Sequence, residues 1–289
     1  MTVNREKDDV TGTETTGHEW DGIKELNTPL PRWWLWTFYG TIVFAIGYTI
    51  AYPAWPMLSS ATTGLIGYSS RADLDASLKE ASVAQASYLT RIDTMTVSEI
   101  TADEELERLA RAGGRSAFKV SCSQCHGTGA EGAPGYPNLN DDEWLWGGTI
   151  EEIYTTISHG VRSAVDEETH YNLMPNFGSE DLLPPDQIRS VAQQVASLSG
   201  IEGGAATPEG ATVFADNCAA CHGDSGQGVP ALGGPALTDP IWLYGGSLAA
   251  IQAQIERPKH GVMPAWGRRL GDTVVKQLAV YVHGLGGGQ

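Results

Sequence analysis

Basic residues are scarce in this 289-residue chain: 18 Lys and Arg stand against 35 Asp and Glu, for a formal charge of −17. That balance argues against nucleic acid as a partner, because phosphate binding depends on clustered Lys and Arg. An acidic surface suits solubility, or encounter with a basic protein. Cysteine is scarcer still. The four present fall in two short clusters, which leaves none for a structural disulfide or for a thiolate-bridged dinuclear copper centre. Charged residues are missing altogether from residues 33–70, and no A-x-A site of the kind that ends a cleavable leader follows the apolar run there. No nucleophile–base constellation stands out anywhere.

The cysteines that are present carry the most information. They form CSQCH at 122–126 and CAACH at 218–222, two copies of Cys-x-x-Cys-His, the attachment pattern of a c-type haem. Cys122, Cys125, Cys218 and Cys221 would bond the porphyrin vinyls, and His126 and His222 would bind iron. Zinc is the chemical rival. A ribbon, however, needs its second pair within about 15–20 residues, far less than the interval here. A thioredoxin-like site needs one pair in a βαβ setting.

The surroundings repeat as well. CSQCHGTGAEGAPGYPNLNDDEWLWGG aligns with CAACHGDSGQGVPALGGPALTDPIWLYGG, and MPNFG at 174–178 aligns with MPAWG at 263–267. A duplicated unit of this kind governs the fold. Met174 and Met263 are the candidate sixth ligands, since a thioether raises the potential of the iron. Proline after each keeps the ligand loop extended. A histidine and a methionine together leave no open coordination position, which suits electron transfer and not O2 chemistry. His159 and His260, each before Gly, remain alternative distal ligands or ordinary helix-end residues. His18, His170 and His283 are expected at the surface, and Trp144 and Trp242 against the porphyrin or the core. The interval from histidine to methionine is longer in the first copy, with the surplus in a polar excursion at 162–173.

The helix signals are local. Thr101 with Glu104 and Thr149 with Glu152 read as capping boxes, Thr207 before Pro208 as a cap with a first-turn proline, and Ser247 as a cap. Final helices are expected at about 185–198 and 272–285. Residues 33–55, WWLWTFYGTIVFAIGYTIAYPAW, are long enough to cross a bilayer. Trp33, Trp34 and Trp36 lie at one end, with Tyr52 and Trp55 at the other. Lys24 and Arg32 precede the span and Arg71 follows, a weak vote for a cytoplasmic N-terminus. The expected organisation is a disordered tail at 1–32, an anchor at 33–57 and a connector at 58–100 with Leu74, Leu78, Ala81 and Val83 as contacts. A first haem domain at 101–200, a short flexible linker at 201–206 and a second haem domain at 207–289 complete it. The fold class is all-α: one transmembrane helix followed by two tandem class I cytochrome c domains.

The stretch HEWDGIKELNTPLPRWW at 18–34, with Tyr48 to Pro53 after it, resembles the pre-membrane signature of the dihaem subunit of cbb3-type cytochrome c oxidase, the CcoP/FixP family. The likeness runs over nearly the whole chain. It implies two covalent haem c groups, one on Cys122, Cys125 and His126 with Met174, the other on Cys218, Cys221 and His222 with Met263. It also implies an inner-membrane anchor, periplasmic haem domains and an electron-input role without a catalytic centre in this chain. Electrons would come from soluble cytochrome c or a similar donor. They would pass to a monohaem cytochrome c subunit and on to the catalytic subunit with haem b and copper. Some family members have a further N-terminal span, which is not expected here. A free-standing membrane dihaem carrier and the cytochrome subunit of a periplasmic dehydrogenase are the alternatives.

Overall fold

The computed structural model describes residues 6–288. These form two compact units whose boundary falls within one long helix, after Val83.

The first unit opens with an antiparallel hairpin, β1 (Thr15–Trp20) and β2 (Ile23–Leu26), pairing Trp20 with Ile23 and Glu19 with Lys24. Its turn is Asp21–Gly22, both at positive φ (48° and 84°), the geometry that matches the twist of a two-residue hairpin. This corrects the expectation of a disordered tail: turn chemistry flanked by Trp and Ile outweighs the polar composition. Residues 1–5 of that expected tail lie outside the described residues. Helix α1 (Arg32–Ala51) follows, with Pro31 as N-cap and no buried residue. A helix that is apolar all round suits lipid, and its 20 residues reach about 30 Å, enough for a hydrocarbon core. It stops at Ala51 with Tyr52 as C-cap, short of the expected 57, because Pro53 cannot continue it. Leu65 N and Ile66 N return to donate to Ile50 O and Ala51 O, which satisfies carbonyls a helix end otherwise leaves open.

Helix α2 (Ser70–Thr94) crosses the unit boundary. Leu74, Leu78, Ala81 and Val83 are exposed along it, so the contacts expected of them are not made among the described residues; its buried residue is Ile92.

The second unit holds the duplicated sequence. It contains α3 (Val97–Ala102), α4 (Glu104–Ser121), α5 (Ser123–His126), α6 (Ile150–His159) and α7 (Pro185–Leu198), then α8 (Pro208–Asn217), α9 (Ala219–His222), α10 (Leu248–Glu256), α11 (Gly267–Leu270) and α12 (Asp272–His283). The capping box of the first copy is Thr96 with Glu99, and Asp103 caps α4; Thr101 lies inside α3, which corrects the Thr101–Glu104 pairing. Thr149 with Glu152, Thr207 with Pro208, and Ser247 cap their helices. Residues 201–206 are laid back along α7, with Ile201 N bonded to Ala196 O and Ala205 N to Gln193 O, so this linker is not a free tether.

Two cores result, and they do not follow the chain order of the repeats. One gathers α3, α4 and α6 with α12, through Leu106, Phe118, Ile153, Val275 and Leu278. The other gathers α7 with α8 and α10, through Val191, Val195, Val213, Phe214 and Ile251. The last helix of each repeat thus packs on the other repeat. At 101–200 and 207–289 the sequence copies are contiguous, but the packed bodies are not. Gly114 marks the crossing of α4 with α12: a Cβ there would sit 2.0 Å from Gln277 O. Gly210 occupies the matching place in the other body, 2.5 Å from Ser190 O on α7.

Candidate haem sites

Each Cys-x-x-Cys-His lies where a long helix gives way to a single turn. Cys122 N closes α4 on Phe118 O and Cys218 N closes α8 on Phe214 O. His126 N then bonds Cys122 O and His222 N bonds Cys218 O, each at 3.0 Å. Gly127 and Gly223, at φ 83° and 79°, end the two turns. Two cysteines and a histidine are therefore carried on one short turn, twice, in the same geometry.

Both imidazoles are oriented from behind. His126 Nδ1 lies 3.0 Å from Pro137 O, and His222 Nδ1 lies 3.0 Å from Pro235 O. A carbonyl can only accept, so Nδ1 carries the proton and Nε2 is left with its lone pair for a metal. Burial is the main cause lowering both imidazole pKa values, which keeps them neutral. Burial, with a second thiol alongside, also pushes Cys122 and Cys218 up to about 11. These surroundings favour uncharged sulfur, as in a thioether, over thiolate. Trp242 Nε1 is buried without a partner beside the second core, where Met174 also packs. An orphaned donor there fits an acceptor such as a porphyrin carboxylate. The residues at both sites fit haem c.

The methionines are exchanged relative to the in-line pairing. Met263 packs against the same core as Cys122 and Trp144, and Met174 packs, beside Trp242, against the core that includes Cys218. The physical reason is the same that exchanges α7 and α12, since each methionine loop leads into the helix that crosses over. Met263 is fixed by a two-bond bridge to Val161, N to O at 2.9 Å and O from N at 3.0 Å.

His159 and His260 are engaged elsewhere. His159 Nδ1 is 3.1 Å from Asp166 and Nε2 is 3.3 Å from Glu168. His260 Nε2 accepts the Met174 backbone N–H at 3.1 Å, so it braces a methionine loop. His159 is thus engaged through both ring nitrogens and His260 through Nε2. His170, expected at the surface, instead stacks on Trp146 at 4.5 Å and bonds Thr156 Oγ1 at 3.0 Å; His18 is exposed. Arg162 was not singled out from the sequence, yet its guanidinium reaches both methionine loops. Its one signal was a place in the excursion that the second copy lacks.

Comparison with known proteins adds two family matches. Residues 12–59 match the N-terminal domain of cytochrome oxidase-cbb3, FixP. Residues 109–193 and 205–282 each match cytochrome c oxidase, cbb3-type, subunit III. Among curated relatives, the cbb3-type cytochrome c oxidase subunit FixP of Sinorhizobium medicae is 56% identical over 98% of this chain and 97% of its own. Subunit CcoP of Cereibacter sphaeroides is 50% identical over the full length of both. Subunit FixP of Bradyrhizobium diazoefficiens is also 50% identical over both full lengths.

Proposed function

The chain belongs to the FixP/CcoP family of cbb3-type cytochrome c oxidase subunits, and from that membership we propose that it is the dihaem electron-input subunit of such an oxidase. It is a cytochrome c subunit with one apolar N-terminal helix and two tandem cytochrome domains. The proposal adds the finer assignments. Cys122, Cys125 and His126 with Met263 hold one haem c; Cys218, Cys221 and His222 with Met174 hold the other.

When bound, each haem supplies a one-electron ferric/ferrous couple. The chain's own part would be to hold and orient that couple and to set its potential. The prolyl carbonyls of Pro137 and Pro235 orient the His126 and His222 imidazoles, and the Met263 and Met174 thioethers, as ligands, would favour the ferrous state. If His126 with Met263 and His222 with Met174 each held an iron, neither haem would offer O2 a place to bind, and the reduction of O2 would belong to the catalytic haem b/copper subunit and not to this polypeptide. Electrons are taken from a soluble cytochrome c or similar donor and relayed towards the monohaem subunit. Helix α1 anchors the chain in the inner membrane, with the N-terminus cytoplasmic and the haem domains periplasmic. Lys24 and Arg32 before the span support that orientation.

The observation that carries this reading is the twice-built seat: one turn bearing Cys-x-x-Cys-His, its imidazole tied to a prolyl carbonyl, with a methionine packed on the same core. Purification of a tagged chain with a pyridine haemochrome assay tests it. Two c-type haems per chain, together with haem b and copper from companion subunits, are expected. Recovery of the dihaem chain without haem b or copper would instead make it a free-standing carrier.

A further inference from the structure

We propose that Arg162 is a positioning residue shared by both axial methionine loops, so that the two haem potentials are set together and not independently. The inference rests on the assignment of Met174 and Met263 as ligands.

Arg162 Nε donates to Gly261 O at 2.6 Å and Nη1 donates to Asn172 O at 3.0 Å. Gly261 stands two residues before Met263, and Asn172 two residues before Met174. One planar guanidinium therefore spans the approaches to both ligands. Its donors are held in a rigid fork, so it fixes the separation of the two carbonyls in a way that a flexible ammonium does not. Asn172 extends the tie by donating from Nδ2 to Leu232 O at 2.8 Å, on the loop that leads to the Pro235 carbonyl behind His222.

The backbone at Arg162 is consistent with a functional constraint. Its φ is 51°, in the left-handed region that is unfavourable for a side-chain-bearing residue. The strain is sustained by Arg162 N bonding His170 O, while Val161 on its other side bridges to Met263. The excursion that follows Arg162 is what brings Asn172 within reach. The second copy runs directly from Gly261 through Val262 to Met263, so it has no counterpart of this arginine.

Charge acts in the same direction as geometry. Among the described residues no carboxylate forms an ion pair with Arg162. The guanidinium stays ionised, and at a part-buried position its field is screened less than at the surface. A fixed cation between two sites disfavours the more positive ferric state at each, and so raises both potentials.

Redox titration and near-infrared spectra of the full-length, haem-loaded chain test this. The near-infrared methionine-to-ferric-iron band reports the sulfur–iron bond, which a purely structural role would leave unmoved. In Arg162→Gln both potentials are expected to shift down and both bands to weaken. In Arg162→Lys the charge is kept and the fork is lost, so the potentials should recover towards the parent while both bands stay weakened. Met174→Ala and Met263→Ala should each lower one potential only. If they do, and Arg162→Gln moves one potential or none, the shared role is overturned. A Lys variant with both bands at parental strength overturns the positioning as well. If neither methionine replacement lowers any potential, the ligand assignment itself is wrong and the inference falls with it.

Discussion

Val161 and Met263 hold each other through two backbone hydrogen bonds, Val161 N to Met263 O at 3.0 Å and Met263 N to Val161 O at 2.9 Å. A methionine of the second repeat is thereby fixed to the first. The exchange has a simple origin. Duplicated units present near-equivalent interfaces, so a terminal element can dock on either copy, the circumstance that underlies domain swapping. Here the segment at 201–206 folds back along α7, and each terminal helix closes the neighbouring core.

The proposed ligation, with Met263 and Met174 exchanged between the repeats, predicts which haem each methionine governs. In a Cys122→Ala/Cys125→Ala background, where only the second haem can be attached, Met263→Ala should leave the remaining potential and near-infrared band unchanged. Met174→Ala should lower that potential and remove the band. The opposite result would restore the in-line pairing of His222 with Met263.

Two adjacent glycines on α4 should respond differently to alanine. At Gly114 a Cβ meets the Gln277 backbone at 2.0 Å, whereas at Gly113 it meets the tip of the Gln277 side chain at 2.6 Å. Backbone cannot swing aside, so Gly114→Ala should cost about 1–3 kcal/mol as overpacking. Gly113→Ala can displace the side chain and gains up to about 1 kcal/mol of helix propensity. Thermal unfolding of the haem-loaded variants measures both. Equal losses at the two positions would mean that α12 does not cross α4 at Gly114.

The split between what could and could not be read in the sequence follows from range. Pro185–Leu198, the Thr149–Glu152 box and the Thr207 cap depend on neighbours a few residues apart, and they were legible. Thr101 with Glu104 matched a pattern that Thr96 with Glu99 matches equally well. Asp103 decided between them by capping α4 itself. The exchange of α7 and α12 was invisible, because Gly114 and Gly210 offer the same crossing to either helix. His170 was misjudged for a similar reason: its stacking partner Trp146 lies on a distant loop.

The pre-membrane hairpin gives a prediction about assembly. Gly22 sits at φ 84° with open space around it, so Gly22→Val acts through backbone strain of about 1–2 kcal/mol and not through a clash. Haem content and the unfolding of residues 84–289 should be unchanged, while copurification of haem b and copper should fall if the hairpin docks on a companion subunit. Full recovery of the complex would assign the hairpin another role.

The last prediction concerns pH. Glu143, from the first repeat, is partly buried near Asp239 of the second. Burial is the main cause that pushes its carboxyl from 4.5 up to about 7, with the charges of Asp239, Asp141 and Asp142 adding to it. A carboxyl raised in the folded state binds its proton more tightly there than in the unfolded chain. Folding is therefore favoured at low pH, and stability is lost as pH rises from about 4.5 through about 7. Above that window Glu143 is ionised against its acidic neighbours, and the repulsion bears on the contact between the two repeats. Glu143→Gln mimics the protonated form. It should therefore unfold at a higher temperature than the parent at pH 8, with the advantage shrinking as pH falls and gone near pH 5. Unfolding midpoints of both proteins across this range provide the check. An advantage that did not vary with pH would come from packing and would remove Glu143 as the source of the dependence.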